Sequence, residues 1–335
     1  MKLTGIVLSL AVLAGAAVVA GCSAEDETLT IYSGRSENMI GPMFDQFSEA
    51  TGINVEARYG DSADLALQLQ TEGENSPADV FISQSPGAMG AVADGGLLAK
   101  LPAATQKLVV TEFQDPDGDW VGVTGRVRTL VYNTDLVTAD ELPQSVFDLT
   151  NAEYQGKVGL APSNGSFQDF VTAMRVADGD DATKKWLDDM AANGAQPYAD
   201  NTSIVQAVGR GEVPMGLVNH YYKEQATAEN PDLPVENHFF AKGDVGSVLL
   251  ATGAGILANS EVQELGTELI DFLLSPEAQK FFTEVKVEYP AAKGAEIAEG
   301  TPLADVPATV VDFDELGSGF RDTLEMINSS GLASN

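Results

Sequence analysis

Leu29-Thr30-Ile31-Tyr32, followed by Ser33-Gly34-Arg35-Ser36, reads as a short strand running into a turn. Beyond it, Ile40, Met43, Phe44 and Phe47 recur at helical spacing, and Gly52 stands where a left-handed cap would end the helix. Ile53-Asn54-Val55-Glu56-Ala57 alternates like a second strand, Leu65 and Leu69 mark a helix, and Gly73 to Pro77 form a loop. Asp79-Val80-Phe81-Ile82-Ser83 is then a buried strand. This alternation predicts an α/β fold with a mostly parallel sheet covered on both faces. Ligands in such sheets collect at the carboxyl ends of the strands, here Ser33 to Ser36, Tyr59 to Ser62 and Ser83 to Ser85.

Towards the C-terminus the pattern repeats with different residues. Arg126-Val127-Arg128-Thr129-Leu130-Val131-Tyr132 reads as a long strand. Lys157-Val158-Gly159-Leu160 is a strand leading into Pro162-Ser163-Asn164-Gly165-Ser166-Phe167, where a helix begins. The backbone N–H groups of a helix start are a natural anion site, although Ser and Asn also stand there simply as caps. Gly253 to Leu257 reads as a return strand, and Leu265, Leu269, Phe272 and Leu273 line a helix face. Ser275-Pro276-Glu277 starts another helix, with Phe281, Phe282 and Val285 as its expected buried side.

Towards the N-terminus, Met1-Lys2 and the apolar run Leu3 to Ala20 form a secretory signal over residues 1–21. An uncleaved membrane anchor is the alternative, since the run approaches the ~18 residues a spanning helix needs. Val19-Ala20-Gly21-Cys22 resembles the lipobox of bacterial lipoproteins, which favours cleavage and acylation of Cys22. Stable anchoring takes more than one acyl chain, as a diacylglyceryl group supplies. The expected location is the outer face of the cytoplasmic membrane, with residues 22–28 as a small acidic tether. Cys22 is the only cysteine, so an internal disulfide, a thiol nucleophile and cysteine-based metal sites are excluded.

The 335 residues are enough for two lobes with their own cores. A formal charge of −32, spread along the chain, argues against nucleic acid or anionic lipid as partners.

The chemistry concentrates at Met215-Gly216-Leu217-Val218, a buried strand, followed by Asn219-His220-Tyr221-Tyr222. A free phenol ionises near pH ~10, but a bound metal takes its proton, and the oxygen anion suits a small trivalent cation such as Fe(III). The plainer reading is a pair of amphipathic aromatics at a strand end. His220, next to Tyr221 on an extended strand, is expected to face the other way. His238, the other histidine, lies in no acidic motif.

Asn75-Ser76-Pro77-Ala78-Asp79-Val80-Phe81, Gly125-Arg126-Val127-Arg128 with its strand, the Ser163 to Phe167 turn, Asn219 to Tyr222 and Glu288-Tyr289-Pro290 together carry a resemblance. The chain, from Leu29 to about Leu332, resembles the iron(III)-binding proteins of bacterial ABC importers, the "periplasmic transferrins". The resemblance implies a two-lobed, type II periplasmic-binding-protein fold, each lobe a mixed sheet flanked by helices, with a two-strand hinge. It implies a first lobe of residues 28–125 plus 252–302 and a second of 126–251 plus 303–335. It implies Fe(III) held by Tyr221 and Tyr222, with a synergistic anion, phosphate or carbonate, at Asn164, Gly165, Ser166 and Asn219 or at one of Arg126 and Arg128. The plainer reading of the arginines is a surface strand paired with acids. Some members place a histidine and a glutamate where this chain has Ser36 and Gln84, so the first lobe is expected to offer hydrogen bonds alone or another group such as Glu37, Tyr59 or Asp61. A membrane permease is the implied partner, and a monomer the implied state.

Two alternatives stand beside this. One is the same fold holding an oxyanion, a polyamine or a phosphonate. The other is an extracellular enzyme, against which the chain shows no G-x-S-x-G, phosphate-loop or zinc motif.

Overall fold

β1 (Thr28–Ser33) lies between two parallel neighbours, β2 (Asn54–Tyr59) and β3 (Val80–Ser83). Parallel neighbours need crossover connections, and α1 (Glu37–Thr51) and α2 (Ser62–Glu72) supply them. α1 buries Ile40, Met43, Phe44 and Phe47 and stops at Gly52, whose φ of 80° lets its N–H reach the Ser48 carbonyl. This computed structural model describes residues 28–297, 300–311, 316 and 319–332. The signal segment, Cys22 and most of the tether lie outside those residues, and Thr28 is already strand.

After β3 come α3 (Pro86–Asp94), α4 (Ala103–Gln106) and the long strand β4 (Trp120–Asn133). β5 (Val158–Leu160), α5 (Gly165–Asp178), α6 (Asp180–Ala192), β6 (Gln196–Pro197), α7 (Asn201–Gly209) and β7 (Met215–Asn219) build a second half. Here β5 is parallel to both β6 and β7. α8 (Tyr221–Glu229), β8 (Val235–His238), β9 (Leu249–Ile256), α9 (Gln263–Leu273), α10 (Pro276–Glu284) and β10 (Tyr289–Pro290) follow. The C-terminal helix Phe320–Ser329 packs back on α5 and α6, where the Thr172 and Thr323 hydroxyls meet at 2.9 Å.

The strand order is β2-β1-β3-β9-β4-β7-β5-β6, and the β3/β9, β9/β4 and β4/β7 contacts are antiparallel. The sheet is therefore mixed, not mostly parallel. Each half keeps its parallel core, and two mutually antiparallel strands, β9 against β3 and β4 against β7, join them. β4 pairs with β9 from Trp120 to Val127 and with β7 from Arg128 to Tyr132, so it passes between halves at Arg128. The strand expected at Arg126 to Tyr132 is only its second part.

Gly122 and Gly125 let Phe113 lie flat on that crossing strand. A Cβ there would stand 2.6 or 2.4 Å from the ring. Phe113 is fully buried, worth about 1.5–3 kcal/mol by transfer.

One expected core position is wrong. Val285 is 55% exposed, because α10 ends at Glu284 and Val285 lies past its last turn, while Phe282 faces the core. α6 and α7, beyond the helices expected from the spacing, bury Trp186, Leu187, Ile204 and Val208.

Candidate functional site

β7 ends at Asn219, and Tyr221 and Tyr222 open α8. The two rings lie 4.5 Å apart at an interplanar angle of 34°. Tyr221 is buried, whereas Tyr222 is half-buried and lines a cavity of about 420 Å³ between the β1–β3 half and the second half. Burial pushes the Tyr221 phenol well above the ordinary tyrosine range, and Tyr222 beside it pushes the same way. Alone, the phenol stays protonated at neutral pH. A cation that displaces the proton gains a strong oxygen ligand.

Asn219 ties the pair to its surroundings. Its side-chain amide donates to Ser166 Oγ at 3.2 Å and to the Tyr221 hydroxyl at 3.4 Å, and its carbonyl accepts from Arg128 Nη1 at 3.0 Å. Arg128 also donates to the Leu217 carbonyl at 3.1 Å. Burial lowers its guanidinium to about 10, so it stays charged at neutral pH. It sits behind Asn219, over the Phe170 ring, rather than on the cavity wall.

Arg126 does line the cavity. Its Nη2 donates to the Gln84 carbonyl at 2.5 Å and approaches Asp169 at 3.4 Å, while Nε and Nη1 find no partner among the described residues. Both arginines are buried, which overturns the surface-strand reading: β4 is covered on both faces where it crosses.

Ser163 to Ser166 form another stretch of wall. Asn164 caps α5 by accepting from the Ser166 N–H at 3.0 Å, and Asn201 steadies that oxygen at 3.3 Å. A Cβ on Gly165 would meet nothing within 4 Å, so that side of the turn is open. The turn is at once a helix cap and part of the cavity wall.

From the β1–β3 half, Gln84, Ser85 and the exposed Asp61 reach the cavity. Ser36 is exposed and bonded to Asn38 at 2.6 Å, and Tyr59 and Glu37 line a separate groove beside Asp45. Among the described residues, no group of three or more His, Cys, Asp or Glu is placed to hold a metal.

His220 departs from its expected geometry. It is not extended: its φ of −52° and ψ of −41° already begin the helical turn. The ring is buried, Nδ1 accepts from the Val127 N–H at 3.3 Å, and Nε2 lies 3.0 Å from the Val287 carbonyl. Burial lowers its pKa to about 4, which keeps it neutral.

Two features escaped sequence reasoning. Asp169, buried on α5, accepts from Ser85 Oγ at 2.6 Å across the cavity, and burial raises its carboxyl to about 6 against the pull of Arg126. Arg35 and Glu288 form a buried, two-bond ion pair at 2.9 and 3.0 Å. Both residues were visible in the motifs, but no spacing rule joins positions 253 apart.

A family model for bacterial extracellular solute-binding proteins matches residues 75–318. The chain belongs to that family. The family is one of substrate-binding transport proteins, so an enzyme is set aside. Among its relatives, this solute-binding protein is 32% identical over 318 residues to the Fe(3+)-binding periplasmic protein of Serratia marcescens, covering 93% of each. Iron-bound HitA from Pseudomonas aeruginosa superposes with a TM-score of 0.83 at 32% identity, over 91% of this chain and 99% of that one. A Trichodesmium protein (IdiA, FutA) solved with iron and citrate gives a TM-score of 0.78 at 25% identity, over 91% and 99%. These matches place the solute-binding protein in the two-lobed α/β class.

Proposed function

We propose that this solute-binding protein captures Fe(III) with Tyr221 and Tyr222, together with a synergistic anion, and delivers it to an ABC permease for iron uptake. The observation that carries the reading is the placing of two adjacent phenols at the start of α8, joined through Asn219 to the α5 N-terminus and Arg128. The names of the Serratia and Pseudomonas relatives support it.

Charge supports the anion. Two phenolates leave one of the three charges of Fe(III) uncompensated, and the buried guanidiniums of Arg126 and Arg128 add two more, of which the Asp169 carboxylate beside Arg126 offsets one. Low-dielectric surroundings penalise such an excess, and phosphate or carbonate removes it. Arg126 Nε and Nη1 and the open Gly165 turn are the groups we assign to it, with Asn164, Ser166 and Asn219 around them. Gln84 and Asp61 are the contacts we assign to the facing wall.

We assign residues 28–125 plus 252–302 to one lobe and 126–251 plus 303–335 to the other, hinged on β4 and β9. Iron held by one lobe and covered by the other shifts an open–closed equilibrium that a permease can read. The protein is exported and acts as a monomer tethered through acylated Cys22. Replacing Cys22 by Ala is expected to abolish the lipid mass and release the protein from membranes; unchanged membrane retention would refute the tether.

The anion is tested by titrating the mature domain with Fe(III) in buffers that hold phosphate, carbonate, citrate or none of these. A visible phenolate-to-iron band that needs an added anion is the expected result. A colourless protein whose melting temperature rises with a phosphonate or polyamine alone would favour the other ligand class.

A further inference from the structure

Among the described residues, Val287 is the non-glycine residue with a positive φ, at 59°. Left-handed backbone is disfavoured at a β-branched residue and persists where its surroundings over-determine it. The turn Lys286–Tyr289 is held from three sides. From α8, His220 Nε2 meets the Val287 carbonyl at 3.0 Å, and Gln225 donates to the Lys286 carbonyl at 3.4 Å. From the β1–α1 turn, Arg35 grips the Glu288 carboxylate, and Lys286 Nζ donates to the Asn38 carbonyl at 2.9 Å. From the crossing strands, Thr124 of β4 and Thr252 of β9 accept from the same Arg35 Nη1 at 3.0 and 3.2 Å, and Tyr289 pairs with Gly125.

His220 is where this turn reaches the tyrosines. Its Nδ1 accepts from the β4 backbone at Val127, so Nε2 carries the hydrogen and donates to Val287. Its ring stacks on Tyr289 at 4.3 Å and stands edge-on to Tyr221 at 5.6 Å. The first turn of α8 is thereby fixed to the strands on which the lobes would hinge.

We infer that His220 is a positioning residue for the tyrosine pair: through its hydrogen bond to the strained Val287 turn it locks the orientation of Tyr221 to the strands on which the lobes would hinge. This rests on the reading that the tyrosines hold Fe(III). Metal sites whose supporting hydrogen bonds are removed lose about 10- to 100-fold in affinity, and that range sets the expected size of the effect.

The test compares wild type with His220→Phe, which keeps a ring but loses both hydrogen bonds, His220→Gln, which retains a donor and an acceptor, and Val287→Gly, which takes up positive φ without strain. Each is loaded with Fe(III) and phosphate, and the charge-transfer band and the rate of iron loss to excess chelator are recorded beside the melting temperature. His220→Phe is expected to shift the band and release iron at least about 10-fold faster, with His220→Gln intermediate. Val287→Gly keeps the main-chain carbonyl that His220 meets, so it is expected to release iron at the wild-type rate with an undiminished melting temperature, and His220→Gln decides if the Phe variant does not fold. Wild-type bands and release rates in the His220 variants that fold would overturn the inference. A wild type with no band would instead overturn the iron reading itself, and this inference with it.

Discussion

The wall of the cleft built on β4, β7 and α5 presents Tyr222, Asn164, Ser166 and Arg126, with Tyr221, Asn219 and Arg128 behind them. The facing wall, built on β1 to β3, presents Gln84, Ser85 and an exposed Asp61. One side gathers phenols and buried charge; the other contributes mainly neutral hydrogen-bonding groups, and two of these, the Gln84 carbonyl and the Ser85 hydroxyl, meet Arg126 and Asp169. The difference assigns the walls different work. On the proposed function the first wall holds the ion and the second covers it, so capture can begin before the cleft shuts.

The comparison breaks most readily under pH. Each phenol that binds the metal gives up a proton, so two of them make apparent iron affinity fall about 100-fold for each pH unit lost. Chelator competition across neutral and mildly acidic buffers measures this, and a nearly flat profile would move the ligands off the tyrosine wall.

The buried acid on that wall gives the next effect. Asp169 has a folded pKa of about 6 against an ordinary 3.8, so between those values the folded protein keeps a proton that the unfolded chain releases. Its contribution is present below pH 4 and lost as pH rises through 6. The stability of Asp169→Asn relative to wild type should therefore grow by on the order of 3 kcal/mol between acidic and neutral pH, read by urea unfolding of the iron-free protein. Parallel profiles would show that Asp169 is more hydrated than its burial implies.

Asn219→Ala removes the acceptor of a buried Arg128 and the amide that holds Tyr221 and Ser166. A loss of about 10- to 100-fold in iron affinity is expected by titration. Unchanged affinity would mean that the tyrosine wall needs no support from behind. The covering side supplies the smallest effect. Ser36→Ala, at an exposed position away from the cavity, should change stability by less than about 0.5 kcal/mol and leave iron binding alone. A tenfold loss there would draw the boundary of the site again.

Much of this was legible beforehand, for reasons that differ by region. The helix spacing of Ile40, Met43, Phe44 and Phe47 and the stop at Gly52 are local signals, and α1 follows them. The strand before Asn219 and the turn at Asn164 are also local, so the candidate tyrosines and the helix start could be named from sequence. What the sequence could not show was direction and depth. The antiparallel run of β4 and β9 depends on which half each strand enters, and the burial of Arg126 and Arg128 depends on cover from both halves. The Asp169–Ser85 and Arg35–Glu288 contacts join distant positions, where periodicity carries no information. His220 lies one residue past the end of its strand, already in helical backbone, so strand alternation does not govern where it points.

The most direct test is an absorbance titration of the mature domain with a soluble Fe(III) complex in phosphate, run beside a Tyr221→Phe/Tyr222→Phe double variant. A charge-transfer band in the wild type that is missing from a folded double variant is the predicted result. An equal band in both, or none in either, would contradict the tyrosine site.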